Sequence, residues 1–176
     1  CEVYVAPRTR FDKVMGFDNA PYHLVLLCEN QTGYQNLIKM VSRSFTEGFY
    51  FKPRIDRELL RQHSEGLIAL SACLAGEVPR ALNQNDYAQA KEAAQFYLDV
   101  FGKDRYFIEL QNHGIAEQQK IIPDLVRLSR ELGVGLVATN DCHYLQKEDS
   151  STQKILICIQ TNHTLQEDKG MEIEQE

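Results

Sequence analysis

Short apolar runs recur along this chain, and each is followed by a stretch with helical spacing. Tyr22–Cys28 (YHLVLLC), residues 66–73 (GLIALSAC), Tyr106–Leu110 (YFIEL) and residues 135–141, with Gly135–Ala138 as their apolar part, read as strands. Cys1 to Ala6 enters as another. Thr32-Gly33 opens a helix with Tyr34, Leu37, Ile38, Val41 and Phe45 at helical spacing. Asp56 caps a short helix running to about Gln62. Residues 77–82 and 86–101 follow as helices, the second with Ala90, Ala93, Ala94, Tyr97 and Phe101 along one face and Gly102 as its stop. A helix over 116–132 ends at Gly133, and Pro123 inside it predicts a kink or two shorter helices. A last helix covers 148–159. Continuously apolar strands alternating with helices are the pattern of an α/β protein with a parallel sheet. An open doubly wound sheet and a (β/α) barrel both fit, and both place chemistry at the C-terminal ends of the strands.

Those strand ends carry ligand-competent side chains. Thr139-Asn140-Asp141-Cys142-His143-Tyr144 closes the strand that begins at Gly135, and in extended backbone Asp141 and His143 project to one side. A carboxylate and an imidazole presented together suit Zn, Mn or Fe, although Asp141 as a cap and His143 as a polar loop residue read equally well. Cys73 follows Leu70-Ser71-Ala72, and Asn112-His113 follows Leu110-Gln111. Cys73 reads as a metal thiolate, as a nucleophile with His143 and Asp141, or as a small buried hydrophobe. No dinucleotide fingerprint and no P-loop occurs.

The net charge of −6 speaks against strong nucleic-acid binding by this stretch alone. Its one basic and aromatic run combines Arg43, Lys52, Arg54, Arg57 and Arg61 with Phe49, Tyr50 and Phe51. That run reads as a phosphate and base surface, or more simply as a solvated helix face beside a buried aromatic loop. Five cysteines without a C-x-x-C pair, three of them (Cys28, Cys73 and Cys158) inside apolar runs, suggest buried thiols in a reducing cytoplasm. No apolar run approaches the ~20 residues of a membrane span. A strand without lead-in at Cys1, and an amphipathic stretch at Met171-Glu172-Ile173-Glu174, suggest a piece of something larger.

Five blocks together resemble one family: Tyr22-His23-Leu24-Val25-Leu26-Leu27, Glu47-Gly48-Phe49-Tyr50-Phe51-Lys52-Pro53-Arg54, residues 66–77 (GLIALSACLAGE), Glu109-Leu110-Gln111-Asn112-His113-Gly114, and Ala138-Thr139-Asn140-Asp141-Cys142-His143-Tyr144. The chain is similar to the PHP (polymerase and histidinol phosphatase) domain at the N-terminus of bacterial replicative DNA polymerase III α subunits. The resemblance implies a distorted (β/α)7 barrel holding up to three divalent metal ions, Zn, Mn or Fe. Of that family's ligands it places five here: Glu2, His23, Cys73, Asp141 and His143. His23 is the one that physics alone does not pick, since it precedes its apolar run. The family's opening His-x-His strand and Asp-His loop would lie upstream of Cys1, leaving the barrel incomplete. Residues 1–165 would be the PHP domain and 166–176 the start of the connection toward the polymerase palm.

Several functional expectations follow. The parent protein would synthesise DNA on a template. Its PHP domain would be a metal-dependent 3′→5′ proofreading exonuclease acting through a metal-activated water, with His113 and Asn140 as candidate supports. The alternative is a non-catalytic scaffold for a separate proofreading exonuclease. Expected partners are the other domains of the chain, DNA, the sliding clamp and that exonuclease, with no membrane. By itself this stretch would hold at most one weakly bound ion, on Cys73, Asp141 and His143, with Glu2 adding little from a fraying end. It would also lack nuclease activity and would self-associate through its open sheet edge.

Overall fold

Strands form at the apolar runs, and one of them runs against the rest. The computed structural model describes residues 1–167. They include strands β1 (Glu2–Val5), β2 (Tyr22–Cys28), β3 (Arg54–Ile55), β4 (Leu67–Leu70), β5 (Tyr106–Leu110) and β6 (Gly135–Ala138). The helices are α1 (Gln31–Thr46), α2 (Arg57–His63), α3 (Glu77–Asn83), α4 (Tyr87–Phe101), α5 (Ala116–Leu132) and α6 (Ser150–Thr161). Most of the connection expected over 166–176, including Met171-Glu172-Ile173-Glu174, lies outside the described residues.

The sheet order is β3-β1-β2-β4-β5-β6. β3 pairs parallel with β1, and β4, β5 and β6 pair parallel in turn. β2 is antiparallel to both of its neighbours, β1 and β4. The all-parallel expectation therefore fails at β2. No helix separates β1 from β2, so the chain turns back directly instead of crossing over. Among the described residues the sheet does not close: it is a mixed α/β sheet, consistent with part of a (β/α) barrel.

Alternation along the strands separates two faces. Val3, Val5, Leu24, Leu26, Leu67, Ala69, Tyr106 and Ile108 lie under the helices and are buried. Each such aliphatic side chain is worth about 1.5–3 kcal/mol on burial. Glu2, Tyr4, His23, Val25, Ile68 and Phe107 occupy the other, concave face and are only partly covered or exposed. β6 is an edge strand with Leu136 41% exposed, so it is not the buried strand its composition suggests.

Helix starts follow their caps: Asn30, Asp56 and Asp86 each accept from the backbone N–H three residues on, in Gly33, Leu59 and Gln89. α1 rotates its stripe relative to expectation. Gly33, Asn36, Met40 and Ser44 are buried, while Tyr34, Ile38 and Phe45 face outward. The cause is close packing at Gly33, where a Cβ would sit 1.8 Å from the Gly66 carbonyl oxygen. α5 is one helix despite Pro123, which lies on its exposed side. Cys28 ends β2 exposed, against the expectation of a buried thiol, whereas Cys158 is buried.

The loop of residues 6–21 is held by Arg54, which is fully buried. Its guanidinium donates to the carbonyls of Gly48, Asp18, Arg10 and Asp12 at 2.9–3.0 Å. Arg43 pairs with Glu47, Arg57 with Glu77, and Arg61 lies over Phe96. Those four arginines are thus engaged within the fold, which disfavours a phosphate surface. The aromatic loop beside them is not buried, however, with Phe49 and Phe51 exposed.

Candidate metal centre

The reversed direction of β2 explains His23. Its position ahead of the apolar run becomes, in an antiparallel strand, a position at the rim where β4 ends. His23 N–H donates to the Ala75 carbonyl at 3.1 Å, locking the start of β2 to the turn after β4. Glu2 is opposite Val25 in the β1–β2 register, so Glu2 and His23 are diagonal neighbours on the concave face. Cys73 reaches the same point because Ala72, at φ +64°, breaks β4 at Leu70 and turns the chain. That turn needs Gly76, where a Cβ would lie 2.1 Å from the Ser71 carbonyl oxygen.

Three of the five expected ligands converge. A carboxylate oxygen of Glu2, a ring nitrogen of His23 and the thiol of Cys73 all lie within 4.8 Å of one another. His23 Nδ1 is 3.2 Å from Glu2 Oε1 and 3.6 Å from Cys73 Sγ. Bonds of ~2.0–2.3 Å in a tetrahedral shell put ligand atoms roughly 3.3–3.8 Å apart, so carboxylate, imidazole and thiol fit a zinc-type ion in both chemistry and spacing.

Both neighbours meet the same nitrogen. A cysteine hydrolase instead needs its thiol and its orienting carboxylate on opposite nitrogens of the imidazole. The nucleophile reading with His143 and Asp141 also fails, since Cys73 is paired with His23. Cys73 and Glu2 together raise the His23 pKa to about 9, against its partial desolvation. His23 in turn lowers that of Glu2, burial opposing, with His143 adding a smaller effect in the same direction.

Asp141 and His143 line the same cavity, of about 330 Å³, but stand outside the tight triad. β6 ends at Ala138, and Asp141 has φ +45°, so the extended-backbone reason for their common direction does not hold. His143 Nδ1 is 2.7 Å from the Asp141 carbonyl oxygen. A carbonyl only accepts, so Nδ1 carries a proton and Nε2 is the nitrogen through which the ring could meet a metal. The structure thus brings Glu2 and His23, rather than Asp141 and His143, close to Cys73. Glu2 sits in a paired strand rather than a frayed end.

His113 uses both ring nitrogens. Nε2 is 2.8 Å from the Asn140 carbonyl oxygen, and Nδ1 accepts from Gln118 Nε2 at 3.0 Å. It is a strut between the loops after β5 and β6, with both ring nitrogens engaged inside the protein. Asn140 takes part through its backbone carbonyl. Residues that sequence reasoning passed over are Glu109, Gln111 and Thr139, joined in a hydrogen-bond network beneath the Cys73 turn. The available signal was a carboxylate, Glu109, in an otherwise apolar strand.

A mixed sheet with ligand-competent side chains at one rim defines a class, and sequence comparison names it. The PHP domain model matches residues 1–113, and the chain belongs to that family. It is 51% identical over 162 residues to DNA polymerase III subunit alpha of Treponema pallidum, covering 92% of this chain and 14% of that protein. The Thermus aquaticus subunit is 49% identical over 166 residues, covering 93% and 14%. The Deinococcus radiodurans subunit is 46% identical over 168 residues, covering 93% and 12%. The chain thus spans about one seventh or less of the length of these relatives. Among the described residues no helix is long and apolar enough to cross a membrane.

Proposed function

We propose that this chain is the PHP portion of a bacterial replicative DNA polymerase α subunit, and that its concave rim is a divalent metal centre for 3′→5′ phosphodiester hydrolysis. The observation that carries this reading is the convergence of Glu2, His23 and Cys73 within 4.8 Å. Glu2, His23 and Cys73 would hold one Zn, Mn or Fe ion, and Asp141 with His143 would extend the set across the shared cavity. A divalent ion held there would supply the Lewis acidity that phosphodiester hydrolysis requires. The Asp141 carbonyl orients the His143 ring so that Nε2 faces away from its own loop contact. Template-directed synthesis would belong to other parts of the polypeptide, with DNA, the clamp and a proofreading exonuclease as partners.

A second reading is favoured by the arginines. With Arg43, Arg54, Arg57 and Arg61 committed internally and a net charge of −6, this surface offers little to hold a DNA strand. In that case the domain would be a scaffold. Metal analysis of the full-length subunit, purified without chelator, separates the readings when combined with degradation of a 3′-labelled primer by wild type, Cys73→Ser and His23→Ala. Bound metal with chelator-sensitive degradation, lost in both variants, is expected. Bound metal without degradation would favour the scaffold, and absence of metal would overturn the metal centre.

A further inference from the structure

We infer that Glu109 is a positioning residue for the metal centre, with one carboxylate oxygen holding the Cys73 turn and the other holding the end of β6 that leads to Asp141 and His143. The inference rests on the metal reading above. Glu109 lies on β5, between the two strands whose ends carry those ligands, and is 5% exposed. Its Oε2 accepts from the Ala72 N–H at 3.0 Å. Its Oε1 accepts from Gln111 Nε2 at 3.1 Å and from the Thr139 hydroxyl. Its own N–H donates to Ser71 Oγ at 2.8 Å.

Two features separate this from ordinary core hydrogen bonding. Ala72 occupies the left-handed region at φ +64°, which a non-glycine residue keeps only when its surroundings impose it. The bond from its N–H to Glu109 is such a restraint, and it acts on the residue directly before Cys73. In addition, no cationic side chain pairs with Glu109 among the described residues, although the carboxylate is buried and lines the same small cavity as Cys73. Both of its oxygens are used as acceptors, and a glutamine would instead turn an amide N–H toward the Ala72 N–H or the Gln111 amide. Its two oxygens thus tie the turn that carries Cys73 to the end of β6.

Cobalt(II) titration of the full chain tests this, read by the near-ultraviolet thiolate-to-cobalt absorption that Cys73→Ser should abolish. Glu109→Gln, which keeps the shape and replaces one acceptor by a donor, should weaken cobalt about tenfold. Glu109→Ala should weaken it about a hundredfold and diminish the thiolate band, the range typical of groups that orient metal ligands. Met40→Ala, a core truncation outside the site, should leave band and affinity unchanged. Thr139→Val removes one donor only and serves if Glu109→Ala does not fold; it should give an intermediate loss. Wild-type affinity and band in both Glu109→Gln and Thr139→Val would overturn the inference while leaving the metal reading in place. Wild type that binds no cobalt would overturn both.

Discussion

His23 holds a proton at neutral pH in the metal-free chain, because Cys73 and then Glu2 face its Nδ1 and raise its pKa to about 9. The folded value lies above the unfolded one, about 6.5, so the stabilisation is complete below pH ~6.5 and is lost as pH rises through about 9. Urea midpoints followed across that window should fall more steeply in wild type than in His23→Gln. A metal must displace the same proton, so affinity should also rise with pH over the window. Parallel stability profiles for the two proteins, or an ordinary His23 titration by NMR, would count against this account. Apart from the family resemblance nothing in the sequence marked His23, because its side chain becomes part of a site only through the direction of its strand.

Elements here depend on local signals and on a few buried anchors. Arg54 is the anchor of the long β1–β2 loop, and replacing it with methionine would leave four carbonyls, those of Gly48, Asp18, Arg10 and Asp12, without their donor. A loss of at least about 3 kcal/mol is expected, since each orphaned buried group costs roughly 1–3 kcal/mol. Chemical denaturation measures it, and a loss below about 1 kcal/mol would show that the loop stands without Arg54. Pro123 gives the opposite case. It is exposed within the continuous helix α5, so Pro123→Ala restores a backbone donor and removes no buried contact. It should stabilise the chain by up to about 3 kcal/mol in the same assay; no gain would mean that the helix has already relaxed around the ring. Asp56 was readable as a cap because a cap acts within a few residues, whereas α1 begins at Gln31 under Asn30, just ahead of the Thr32-Gly33 start that its sequence suggests. The α1 stripe was only partly legible, with Leu37 and Val41 packed against the core but Tyr34, Ile38 and Phe45 exposed, because the Gly33–Gly66 approach is a tertiary contact.

At the scale of the whole molecule, the described sheet ends in two edges, β3 and β6. Leu27 and Leu136 on its strands, and Ile155, Leu156 and Ile159 on α6, are 41–71% exposed. Unpaired strand edges and apolar surface favour association. The chain of 176 residues is therefore expected to self-associate in solution, with sedimentation coefficients that rise with concentration. A concentration-independent monomer with a cooperative melt would refute that expectation.

The sequence by itself determined where the helices and five of the six described strands lie, β3 at Arg54–Ile55 being the exception, and which side chains are chemically fit to bind metal. Hydrophobic periodicity and caps are local properties, and ligand chemistry belongs to the residue. The family resemblance already grouped Glu2, His23 and Cys73 with Asp141 and His143, and only the tertiary structure decided that the first three lie within 4.8 Å of one another while the other two line the same cavity outside that triad. It likewise decided that His113 is a strut and that Glu109 underlies the rim. Pairing direction, register and the left-handed turn at Ala72 depend on which segments meet in space, and spacing along a chain does not encode that.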